Sequence, residues 1–63
     1  MKDFDEYTMM GATEEDNEAI LESLENGIDL TVDDAGRVWN SGGIWIADCR
    51  NVEAGEGFAC TGI

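Results

Sequence analysis

Between residues 28 and 46 the apolar residues alternate with polar ones, and the alternation is broken twice by three-residue connections that end in glycine, Asp34-Ala35-Gly36 and Ser41-Gly42-Gly43. Alternation with a period of two is the signature of a strand with one buried face. A three-residue connection closed by glycine is a hairpin with a left-handed bulge residue. The two signals together leave few folds open: this stretch is an antiparallel meander. Setting Asp33 opposite Arg37 places Val32 opposite Val38 and Thr31 opposite Trp39. A three-residue second turn then sets Asn40 opposite Ile44, Trp39 opposite Trp45 and Val38 opposite Ile46. One face carries Ile28, Leu30, Val32, Val38, Ile44 and Ile46; the other carries Asp29, Thr31, Trp39, Trp45 and Ala47. A two-residue second turn would instead send the tryptophans to different faces.

The segment before the meander reads as a helix. In TEEDNEAILESLEN, residues 13–26, Thr13 is a natural N-cap and Asp16 stands where a capping-box acid belongs. Glu14, Glu15 and Asp16 suit the positive end of the helix dipole. Ile20, Leu21 and Leu24 supply the buried stripe, and Gly27 is a stop that tolerates positive φ. Tyr7 and Met9 hint at a short edge strand, residues 50–57 read as a loop, and Phe58 to Thr61 read as a further short strand. The expected architecture is α+β. One N-terminal helix packs on one face of a three- to four-stranded antiparallel meander, in a single domain spanning 1–63.

Charge limits the function more than the fold does. Fifteen acids against three bases give a net charge of -12. With only Lys2, Arg37 and Arg50, no basic patch forms, so direct binding of nucleic acid or an anionic membrane is not expected. A basic partner would be steered in. No apolar run approaches the ~20 residues of a membrane span. The stretch MKDFDEYTMM lacks the basic and apolar regions of a signal peptide, so a cytoplasmic protein is expected.

Residues 1–26 hold nine acids and one base, a net of -8, against -4 for the remainder. Glu14, Glu18, Glu22 and Glu25 recur at spacings of four, four and three, which makes one carboxylate stripe along the helix. Neighbours on such a stripe lie ~5–6 Å apart, comparable with the phosphates of a DNA strand. Like charges so placed weaken a helix, and folding alone favours mixed signs. The stripe therefore reads as an imitation of a nucleic-acid backbone. Two plainer readings stand beside it: a solvated face on a soluble acidic protein, and adaptation to high salt.

Trp39 and Trp45 read as partly buried, each with an exposed edge that could anchor an interface on a rigid sheet. The alternative is that the C-terminal segment, through Val52 and Phe58, covers them. The acidic run from Asp29 to Asp34 fails as a calcium loop, because position six is Asp34 rather than glycine and position twelve is Asn40. Without histidine there is no ready general base. Cys49 and Cys60 lie among acids, which suppresses thiolate formation. Neither catalysis, a metal nor a cofactor is expected.

In size, charge and carboxylate spacing the chain resembles the small acidic inhibitors that phages and mobile elements direct at host defence proteins, the anti-CRISPR and anti-restriction DNA mimics among them. That resemblance implies a non-enzymatic inhibitor occupying a basic nucleic-acid channel. Glu14, Glu15, Glu18, Glu22 and Glu25 would form the binding surface, Asp29, Asp33 and Asp34 would extend it, and Trp39 or Trp45 would anchor it. The competing expectation is a small structural or adaptor protein, assembled through a sheet edge or the tryptophan face, whose acidity serves only solubility.

Overall fold

Both turns of the meander are built by one device. The Oδ1 atom of Asp33 accepts the amides of Ala35 and Arg37, each at 2.9 Å. The Oδ1 atom of Asn40 accepts those of Gly42 at 2.8 Å and Ile44 at 3.1 Å. A short side chain with a terminal oxygen stands in for a backbone carbonyl and satisfies amides that the tight loop would orphan. Gly36, at φ 83°, takes the left-handed position that the first loop requires.

These observations come from a computed structural model that describes residues 1–53 and 55–58. The elements are β1 (Lys2–Asp3), β2 (Met9–Gly11), α1 (Glu14–Glu25), β3 (Leu30–Val32), β4 (Arg37–Asn40) and β5 (Trp45–Asn51). All strand pairs are antiparallel, and the sheet runs in the order β1-β3-β4-β5-β2. The α+β architecture with a helix on the sheet is as expected. The sheet has five strands rather than three or four because residues 1–11 furnish both edges. Lys2 pairs with Val32 at one edge and Met9 with Asn51 at the other. Tyr7 is exposed outside any strand, and its amide donates to Oδ1 of Asp5 at 2.9 Å.

The first hairpin has the expected register, with Thr31 opposite Trp39 and Val32 opposite Val38. The second starts as expected, with Trp39 opposite Trp45, and then departs. Val38 faces Ala47 and Arg37 faces Asp48. Ile46 is the extra residue of a β-bulge, which reverses the faces beyond it. The expectation that Ala47 lies outward, that Ile44 lines the core and that Val38 faces Ile46 is thereby corrected, while Ile46 still packs against the core. Ala47 is fully buried, Ile46 is half-buried, and Ile44 is 63% exposed near the second turn. The physical reason lies in the helix, which packs against β5 and β2. A lone methyl at 47 lets α1 lie close to the strand, where an isoleucine would hold it off.

Each end of α1 is closed by its own sequence. Thr13 Oγ1 accepts the Asp16 amide at 3.2 Å. At the other end the Gly27 amide donates to Leu24 O at 3.1 Å and the Ile28 amide to Ser23 O at 3.0 Å, a Schellman closure with Gly27 at φ 71°. The core comprises Met9, Ile20, Leu30, Val32, Val38, Ala47 and Phe58, with Phe4, Leu21, Leu24 and Ile28 at its margin. Phe58 stacks on Phe4 with centroids 6.1 Å apart. It is therefore spent inside the core and does not cover the tryptophans. The rest of the strand expected at 58–61 lies outside the described residues.

Candidate functional site

At 100° per residue, Ile20 and Leu24 set the inward direction of α1. Glu14, Glu15, Glu18, Glu22 and Glu25 then project from the opposite side, and all five are exposed. No basic residue occurs within α1. Among the described residues the only ion pair is Arg37 with Asp33, away from this helix. The carboxylate stripe is thus a solvent-facing ridge without counter-charges. Ile20 is the only fully buried residue of α1, and Ala19, Leu21 and Leu24 pack against the core around it, so the exposed side is left to acids.

The expected extensions of the ridge are placed unevenly. Asp29 is exposed just beyond the end of α1. It shares a cleft with Asp3, Asp5, Glu6 and Leu24, a grouping of acids that the sequence did not announce because its members are some 20 positions apart. Asp33 and Asp34 lie at the far end of β3, in the turn. Asp34 is exposed. Asp33 is occupied by structure: besides two amides it accepts Arg37 Nε at 2.9 Å and Trp39 Nε1 at 3.3 Å. These donors, the Arg37 amide foremost, hold its carboxyl below its ordinary value.

Trp39 and Trp45 stand side by side across β4 and β5. Val38 is buried on the helix side, so strand alternation turns Trp39 outward, away from α1, and Trp45, paired with Trp39 ahead of the bulge, lies on the same outward face. Trp39 is half-buried and Trp45 is 48% exposed. The indole of Trp45 donates to Asp48 Oδ1 at 3.4 Å, and the Arg37 guanidinium carbon lies 6.0 Å from the centre of the Trp39 ring. The ridge and the tryptophan pair therefore occupy opposite faces of the sheet, and one flat partner cannot touch both. Arg37 and Asp48 belong to the tryptophan face. Alternation along β4 already puts Arg37 beside Trp39, whereas the bulge hid the placement of Asp48 from the sequence.

Among the described residues no group of three or more potential ligands is placed to hold a metal ion. Cys49 is half-buried, and burial pushes its thiol above the ordinary value, with Asp48 adding to the effect. Cys60 lies outside the described residues. Among those residues no helix is long and apolar enough to cross a membrane. No family model matches the chain, and no curated protein or solved structure is significantly similar to it.

Proposed function

We propose that this protein is a non-enzymatic inhibitor that occupies a basic, nucleic-acid-binding surface of a host protein through the outer face of α1. The observation that carries the reading is the ridge itself: Glu14, Glu15, Glu18, Glu22 and Glu25 are all exposed, with no base on the helix. Such a ridge weakens the helix that bears it. A groove lined with lysine and arginine reads it as it reads phosphates, by long-range attraction that salt screens. Asp29, exposed just beyond the end of α1, would extend the ridge, whereas Asp33 serves its turn.

The test is charge reversal on the ridge. Replacing Glu18→Lys and Glu22→Lys together leaves the circular dichroism spectrum unchanged and weakens partner binding by about tenfold or more at low salt. The loss shrinks as salt rises. Undiminished binding by the double variant would remove the ridge from the account. Salt-tolerant binding would favour the adaptor reading, in which the acids serve solubility.

A further inference from the structure

The tryptophan face contains the same unit twice. In the first copy the Trp39 indole N–H meets the Asp33 carboxylate, and the Arg37 guanidinium is seated there, with Nε 2.9 Å from Asp33 and the guanidinium carbon 6.0 Å from the ring centre. In the second copy the Trp45 indole N–H meets the Asp48 carboxylate at 3.4 Å. Here the described residues form no ion pair with the acid, and the ring is 48% exposed. A carboxylate held at the N–H edge of an indole suits a planar guanidinium, which can hydrogen-bond to the acid in its plane while lying over the ring. In the first copy the chain places its own Arg37 guanidinium at the acid and within reach of the ring.

We propose that Trp45 and Asp48 form a binding site for an arginine side chain of a partner polypeptide, on the face opposite the helix ridge. The occupant is an arginine rather than a lysine, because an ammonium has no planar face to lay on the ring. It is a partner's arginine because the chain's own Arg37, directly across from Asp48, is engaged by Asp33, and Arg50, two residues along β5, makes no ion pair with Asp48 among the described residues. The site needs no contribution from α1. It stands or falls separately from the function proposed for the ridge.

The two indole N–H resonances report on the two copies separately. The probe is hexa-arginine amide, with hexa-lysine amide as the comparison, added to the whole protein at moderate salt. The Trp45 indole signal moves saturably with hexa-arginine, Trp39 moves less, and hexa-lysine binds about five- to tenfold more weakly. Asp48→Asn reduces the Trp45 response by a similar factor, while Glu18→Gln with Glu22→Gln leaves it in place. Arg37→Ala empties the first copy, and the Trp39 indole then responds as well. In each variant the remaining amide spectrum shows whether the fold persists. Equal response of both indoles in the native protein, equal binding of hexa-lysine, or an unchanged response in Asp48→Asn overturns the proposal. So does a Trp45 signal that moves on dilution without peptide, which would assign the face to a second copy of this chain.

Discussion

The Gly11 amide donates to Oδ1 of Asn17 at 2.6 Å, and this bond fixes the angle at which α1 leaves β2. The approach is closer than the hydrogen bond alone requires. A Cβ at position 11 would fall on the backbone of Asp16 and Asn17. Backbone cannot rotate aside as a side chain can. Gly11→Ala is therefore expected to destabilise the protein by about 1–3 kcal/mol. Total stability for a chain of this size is roughly 3–9 kcal/mol, so the loss is plain in a urea titration. An unchanged midpoint would show that the junction yields.

The bulge at Ile46 makes a prediction opposite to the one that simple alternation makes. Ala47 is fully buried and Ile46 only half so. Ala47→Ile should cost about 1–3 kcal/mol through overpacking under the helix. Ile46→Ala should cost less than Ile20→Ala, for which about 2–5 kcal/mol is expected at a fully buried site. The three midpoints, compared by chemical denaturation, decide between the bulged and the regular register.

Glu22→Lys separates folding from binding. The new lysine stands four residues after Glu18, the favourable order for an i,i+4 pair, and near the negative end of the helix dipole. It also removes a like-charge neighbour. The melting midpoint should rise by roughly 4–8 °C, while affinity for the basic partner falls. A variant that melts lower, or binds as before, contradicts the description of the ridge.

Asp33 gives the stability a defined acid limb. Its carboxyl is held below the ordinary value of 3.8, chiefly by the Arg37 amide. The folded state therefore releases this proton at lower pH than the unfolded chain does. Its stabilising contribution is complete above the unfolded value and is lost as pH falls through the folded one. Asp5, lowered by the Tyr7 amide, acts in the same direction. Asn40 shows that an amide side chain runs the same turn. Asp33→Asn should thus keep the fold at neutral pH and flatten the loss of stability as the pH falls below about 4. Denaturation midpoints above and below that pH measure it.

How far the sequence reveals this fold follows from the range of each interaction. The cap at Thr13, the closure at Gly27 and the turns at Asp33 and Asn40 are local. Each is visible in four or five residues, and each stands where the residues imply. The bulge at Ile46 is a compromise between strand and helix that a strand's own alternation does not encode. Likewise β1 and β2 exist through pairing with Val32 and Asn51, some 30 and 40 positions away, and at two and three residues they are too short to carry much strand signal. The site divides in the same manner. Helical spacing alone assembles the ridge of glutamates. Alternation and turn length likewise place Trp39 beside Trp45 on the face away from the helix, whereas the Trp45–Asp48 pair depends on which way a bulged strand turns its side chains.

The most direct measurement of the central claim is competition between duplex DNA and this protein for the partner, at fixed ionic strength so that screening is constant. The partner would be captured on the immobilised protein and challenged with increasing duplex. The expected result is that DNA displaces the partner in proportion to its own occupancy, while the Glu18→Lys and Glu22→Lys variant captures little to begin with. A ternary complex that holds DNA and this protein together, or capture indifferent to DNA, would contradict it.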